Sequence, residues 1–260
     1  MKKSIVQQIV HVSGTEVLTE GISLIRFRSK EISSVAEPGQ FVNIRTADLC
    51  MPLLRRPFSI SRIDGDQVEL LFAVIGMGTK ILASKSIGDE LDVLGPLGQS
   101  FHMDGDFSEA IIVAGGLGVA PFPFLTMKLR EREKTIISLI GARTREFILT
   151  QHLDNVQTAT DDGSIGFHGN VVQLLKQVLS ENNFRHPKVF TCGPSRMMQA
   201  LAEYANSIEL ECEVSLEGEM ACGIGICQGC PVERVDGKKK YSLVCTEGPT
   251  FSSKEIIIRS

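Results

Sequence analysis

Four cysteines near the end of this chain, Cys222, Cys227, Cys230 and Cys245, have the residue type and spacing for redox chemistry. They read C-x4-C-x2-C, with the fourth on a later segment, and this pattern holds a 2Fe-2S cluster. Four thiolates must converge on two irons, so three come from one tight loop and the fourth from elsewhere. Gly223, Gly225 and Gly229 let the loop wrap without Cβ clashes and turn backbone N–H groups toward the sulfurs. The competing reading is a structural zinc site. Zinc favours paired C-x2-C knuckles, and only one such pair is present, so the spacing favours iron and sulfur.

A second constellation is Leu53-Leu54-Arg55-Arg56-Pro57-Phe58-Ser59-Ile60, expected between two strands. Its guanidinium could sit on a flavin pyrophosphate, with Ser59 and backbone groups at the isoalloxazine ring. Gly78-Thr79 could open a helix whose N-terminus receives the phosphates. The plainer alternative makes Arg55 and Arg56 surface residues and Phe58 a core residue.

The third is Val113-Ala114-Gly115-Gly116-Leu117-Gly118-Val119-Ala120-Pro121, at the end of a buried strand and the start of a helix. Open α/β sheets bind nucleotides there. The run is not G-x-G-x-x-G, and a tight strand-to-helix turn explains it equally. Thr191-Cys192-Gly193-Pro194 ends another strand of the same sheet, where Cys192 is either beside a nicotinamide or a small buried residue. The acids of Thr160-Asp161-Asp162-Gly163-Ser164 would repel a 2′-phosphate and favour NAD over NADP, unless they only solvate a turn.

These motifs need three kinds of scaffold. Residues 1–103 hold short apolar runs such as Gln40–Ile44, Val68–Val74 and Glu90–Leu94, separated by turns such as Asp64-Gly65-Asp66. They predict an antiparallel β-barrel or sandwich. Residues 104–212 alternate strands (Ala110–Ala114, Thr135–Ile140, Lys188–Thr191) with helices (Phe122–Glu133, Val171–Leu179, Arg196–Asn206), which predicts an α/β domain with a parallel sheet. Residues 213–260 predict a small cluster module, with strands Val232–Val235 and Tyr241–Val244 around Asp236-Gly237. Lys238–Lys240 reads as a solvated hairpin tip.

Composition narrows the function. The chain has 260 residues and a net charge of -4, with no Trp. A dedicated nucleic-acid binder would be basic, and stacking platforms would need aromatics. The longest apolar stretch, Ala110–Leu125, is broken by glycines and prolines and falls short of the roughly 20 residues of a membrane span. No signal peptide is expected, so a cytoplasmic location is. The roles of Cys50 and Cys212 are open, with buried structural thiols the expectation.

The order of these motifs along essentially the whole chain resembles the electron-transfer subunits of NAD-dependent (type B) dihydroorotate dehydrogenase, in the ferredoxin reductase superfamily. Leu54–Ser59, Leu94-Gly95-Pro96-Leu97-Gly98, Gly115–Pro121, Cys192-Gly193-Pro194 and Cys222–Cys227 carry the resemblance. It implies FAD in the barrel, NAD at the second domain and a 2Fe-2S cluster in the third. By motif position FAD would contact Arg56, Pro57, Phe58 and Ser59, then Leu71, Phe72 and Ala73, then Gly78 and Thr79. The family often has Arg where this chain has Ala73. NAD would meet Gly115, Gly116, Gly118, Cys192, Gly193 and Pro194.

The resemblance also implies a partner, an FMN-containing catalytic subunit that oxidises dihydroorotate in pyrimidine synthesis, in a heterotetramer of two copies each. Electrons would run from FMN through the cluster and FAD to NAD, with no catalytic acid or base in this chain. Two rivals are a related reductase subunit, of the ferredoxin:NADP oxidoreductase or sulfide dehydrogenase type, and a redox sensor that does not turn over. The related reductases can carry Asp at the first ligand position, which here is Cys222.

Overall fold

The computed structural model describes residues 5–47, 51–235, 237 and 239–259. Cys50 and two members of the 236–240 tip, Asp236 and Lys238, lie outside these.

Six strands close the first unit into an antiparallel barrel: β1 (Val6–Thr19), β2 (Ile22–Arg28), β3 (Phe41–Arg45), β4 (Arg56–Asp64), β5 (Gln67–Ala73) and β6 (Glu90–Leu97), in the order β1-β2-β5-β4-β3-β6. Alternation decides which residues fill it. On β3, Val42 and Ile44 point inward with Phe58, Ile60, Leu70 and Phe72. Phe41 and Asn43 face outward and are nevertheless buried, at 3% and 0% exposure. Something outside the barrel must cover them. Two short helices, α1 (Lys30–Ser33) and α2 (Met77–Ala83), close gaps between strands.

The second unit is a seven-stranded sheet. It contains β7 (Glu109–Gly115), β8 (Thr135–Ala142), β9 (Val156–Thr160), β10 (Phe167–His168), β11 (Pro187–Cys192) and β12 (Glu211–Ser215), all parallel. Helix α3 (Phe122–Glu131) packs on one face, and α4 (Val171–Glu181) and α5 (Ser195–Ser207) on the other. Ile111 and Val113 of β7 serve the α4/α5 face, while Ala110, Ile112 and Ala114 serve the α3 face. A strand buried on both sides reads as an unbroken apolar run for that reason. Helix α4 starts at a capping box, with Asn170 accepting from Gln173 N–H and the Gln173 side chain returning to the Asn170 N–H.

The last segment carries β13 (Pro231–Arg234), β14 (Tyr241–Leu243), the single turn α6 (Val244–Glu247), β15 (Thr250–Ser252) and β16 (Ile256–Ile257). Its β14-β13-β16 sheet is small, but β15 leaves it and pairs antiparallel with β12. The expected boundary between 212 and 213 therefore falls inside β12, and the cluster segment supplies an edge strand to the nucleotide sheet. The run from Arg56 to Ile60 is likewise not a link between strands, because it forms the first half of β4. Pro57 lacks an N–H, which the first positions of a strand tolerate.

The units are tied at their seams. Phe101, on the link after β6, stacks on Phe122 and meets Phe190 edge-on, with centroids 5.8 and 5.5 Å apart. Fully buried Lys188 donates to the His102 carbonyl at 2.8 Å and pairs with Glu211 and Glu213 at 2.6 and 2.8 Å.

Candidate redox site

The cluster loop, 222–230, has almost no regular structure, and its sulfurs organise it. Ile224 and Cys227 N–H groups approach Cys222 Sγ at 3.5 and 3.4 Å, and Gly229 N–H approaches Cys227 Sγ at 3.4 Å. Cys245, on α6, directs its N–H at Cys230 Sγ at 3.4 Å. The sulfurs thus form two pairs. Cys222 and Cys227 are accessible, and Cys230 and Cys245 are buried. Burial and the neighbouring Cys230 thiol push Cys245 up to about 12. At Cys222 burial also opposes the thiolate, but N–H groups of Cys227 and Ile224 outweigh it and bring the thiol down to about 7.

Among the described residues no three His, Cys, Asp or Glu side chains converge on one metal ion. A 2Fe-2S cluster takes two cysteine thiolates per iron, and its bridging sulfides supply the rest. Two thiol pairs with N–H groups aimed at sulfur fit such a cluster. Ile226, 78% exposed, and Ile224, 39% exposed, flank its open edge.

The flavin motif lies on β4. Phe58 turns its ring into the barrel against Phe72 (centroids 5.5 Å apart), so neither ring is offered to a ligand and any contact there would come from main chain. Pro57 and Ser59 stand opposite Asn43 and Phe41 of β3, on the outer face. Leu71 of β5 faces outward as well, toward the nucleotide unit. The two arginines have separate fates. Arg55 is committed to Asp92, at 2.6 Å, and to the Asp92 carbonyl at 2.9 Å. Arg56 bends back onto the Leu54 carbonyl at 2.6 Å, with its stem against Gly78.

Gly78 and Thr79 do open a helix, α2. A Cβ on Gly78 would lie 3.2 Å from Thr46 Oγ1 and 3.3 Å from Arg56 Cγ and Nε. The Thr79 hydroxyl caps its own helix, accepting from Ile75 and Gly76 N–H at 3.0 and 3.1 Å. Thr46 Oγ1 is buried beside them and has no hydrogen-bond partner among the described residues. A cradle that a Cβ would crowd, a guanidinium and an orphaned hydroxyl fit a flavin phosphate. Ala73 places no charge here, and Arg56 is the cation at hand.

A cavity of about 430 Å³ opens at the C-terminal ends of the parallel strands. Gly115, Gly116 and Pro194 line it, together with Gly141, Arg143, Phe147, Asp161, Met197 and barrel residue Ile22. It lies where the strand order turns from β7 toward β8 on one side and β11 on the other, the usual nucleotide position in such sheets. Gly118, Cys192 and Gly193 are not in its lining. Gly118 packs on the Cys192 carbonyl. The Cys192 side chain is buried in the core beneath, where desolvation raises its thiol. Cys212 is buried too, pushed up to about 12 by burial.

Sequence reasoning missed Asn43, Thr46, Ile22 and Phe147. A polar residue at a mid-strand position of a buried run was the available signal for Asn43. The others become visible only when separate strands meet.

Residues 217–257 match the family model of the iron–sulfur cluster binding domain of dihydroorotate dehydrogenase B. The electron transfer subunit of dihydroorotate dehydrogenase B (NAD(+)) from Desulforamulus reducens is 36% identical over 90% of this chain and 91% of its own length. The subunit of the same name from Fusobacterium nucleatum is 34% identical over 90% and 92%. A solved structure of an NADH-dependent reduced ferredoxin-NADP oxidoreductase, described in connection with flavin-based electron bifurcation, superposes with a TM-score of 0.85. It is 26% identical and covers 96% of this chain and 90% of that one. With its barrel, nucleotide sheet and cysteine loop in this order, the chain belongs to the family of dihydroorotate dehydrogenase B (NAD(+)) electron transfer subunits.

Proposed function

We propose that this chain takes electrons from an FMN-containing, dihydroorotate-oxidising partner and delivers them to NAD, as a step of pyrimidine (UMP) synthesis. The observation that carries the reading is the continuity of the barrel's outer face. The cluster loop seats on Asn43 at one end. Pro57, Ser59 and Leu71 follow, and Ile22 at the other end lines the nucleotide cavity. One protein surface thus runs from cluster to flavin to nucleotide.

When bound, the cluster moves single electrons and FAD pairs them into a hydride for NAD. In this reading Cys222, Cys227, Cys230 and Cys245 ligate the cluster. Arg56 holds the flavin pyrophosphate against Gly78 and Thr79. Pro57, Ser59 and the main chain of Phe58, Leu71, Phe72 and Ala73 seat the ring. Gly115, Gly116 and Pro194 receive the nucleotide, while Gly118, Cys192 and Gly193 build the turn under it. The assembly is a heterotetramer with two copies of each subunit.

Among the described residues no helix is long and apolar enough to cross a membrane. In this reading the protein works in the cytoplasm, where thiols stay reduced.

The test is dihydroorotate-dependent NAD reduction by the chain alone and co-purified with the FMN subunit of the same cell. Activity confined to the complex supports the reading. A silent complex, with NADH–dye activity in the isolated chain, would leave a reductase of another complex and remove the partner.

A further inference from the structure

Asn43 is a polar side chain in the middle of β3, on the outer barrel face, and it is 0% exposed. A buried amide is costly unless hydrogen-bonded. Its Nδ2 donates to the carbonyl of Cys222 at 3.2 Å, so the cost is offset by contact with the cluster loop itself. Its Oδ1 has no partner among the described residues. Directly across the ladder stands Pro57, inside the flavin motif. One side chain therefore touches the first ligand of the cluster loop and neighbours the strand that seats the flavin.

The contact is shaped from both sides. Gly223 adopts φ +71°, and a Cβ there would sit 2.2 Å from Asn43 Nδ2. Only glycine lets the loop lie this close. Beneath it the strand is held firm. Arg55 Nη1 reaches the Asn43 carbonyl at 3.5 Å while its guanidinium is locked to Asp92 of β6.

We infer that Asn43 is the positioning residue that sets the cluster loop against the flavin strand and thereby fixes the separation across which electrons pass. The inference rests on the function proposed above. A loop with little regular structure would otherwise sample several distances from the barrel. Electron transfer slows as the two groups move apart, so the contact that holds the loop at one distance sets the rate.

The experiment uses the full chain carrying both groups, as wild type, Asn43→Ala, Asn43→Asp and Gly223→Ala. Asn43→Asp keeps the volume but turns an acceptor toward the Cys222 carbonyl. Gly223→Ala pushes on the same contact from the loop side and keeps Asn43. Two readouts are taken, both normalised to bound FAD and iron. They are the electron paramagnetic resonance line shape of the reduced cluster and the stopped-flow rate of cluster reduction by NADH.

The expected result is an altered line shape and a severalfold lower rate in the variants. Line shapes and rates matching wild type in the Asn43 variants would overturn the assignment while leaving the proposed function standing. Where an Asn43 variant fails to retain its cluster, Gly223→Ala decides: a wild-type line shape and rate there overturn the assignment. A wild-type chain that takes up neither FAD nor iron overturns the proposed function, and this inference with it.

Discussion

Gly118 lies against the backbone of Cys192 so closely that a methyl group on it would sit 2.3 Å from the Cys192 carbonyl oxygen. The neighbouring atoms are main chain at the end of β11, and they cannot rotate away. Gly118→Ala is expected to destabilise the protein by about 1–3 kcal/mol, the scale of overpacking a filled interior. Gly116 has φ +54° and open space within 4 Å of where a methyl group would stand, so Gly116→Ala should lose only on the order of 1 kcal/mol. Thermal denaturation of the two variants checks the ranking, and equal melting shifts would contradict it.

Cys227 is the more exposed member of the outer sulfur pair. Cys227→Ser should bleach the cluster's visible absorption and abolish electron transfer between the chain and its partner, while flavin absorption stays. A normal cluster spectrum in this variant would remove Cys227 from the ligand set.

Arg56 donates to the Leu54 carbonyl, a neutral partner that a phosphate can displace, whereas Arg55 is held in an ion pair with Asp92. Arg56→Ala should weaken FAD retention by about 1.5–3 kcal/mol, the scale of a hydrogen bond to a charged group. Flavin titration of apoprotein measures it. Unchanged affinity would move the pyrophosphate elsewhere.

Lys188 is fully buried, and Glu213 beside it is 10% exposed. Removing the cation strands that carboxylate. Lys188→Met is expected to cost about 3–5 kcal/mol in urea unfolding. Adding Glu213→Gln should recover part of the loss, since the two residues share one network. A single variant as stable as wild type would show that the pair contributes nothing.

Asp154 accepts from Arg130 Nε at 2.6 Å, and this bond holds its carboxyl below the usual carboxylate range. A carboxyl depressed in the folded state contributes stability above its unfolded pKa of about 3.9 and loses it as pH falls through the lower folded value. The pair is partly exposed, so the effect is under about 1 kcal/mol. The melting difference between wild type and Asp154→Asn should be constant from neutral pH to about 4 and shrink below it. A difference that widens in acid would refute the sign.

Much of the architecture was legible in the chain because local rules act locally. A short apolar run between turns marked β5, the unbroken run Ala110–Ala114 marked a buried parallel strand, and C-x4-C-x2-C marked the cluster loop. What misled was context beyond the segment. The flavin motif looked like a linker because Pro57 and two arginines are poor strand formers, yet pairing with β3 holds it in the barrel. The module boundary at 212 and 213 cut through β12 because β15, thirty-odd positions on, needed that strand's edge.

The sequence by itself determined which chemistry is present. Four thiols at ferredoxin spacing, a guanidinium before Pro-Phe-Ser and glycines after a buried strand are properties of residue type and short-range order. Tertiary structure alone decided how those parts connect. Asn43 meets Cys222 across 179 positions, Ile22 reaches a cavity built by the nucleotide sheet, and Arg55 is diverted to Asp92. Such contacts arise from closing the barrel and packing it on the sheet, and their energy depends on which surfaces are excluded from water together, which no local pattern records.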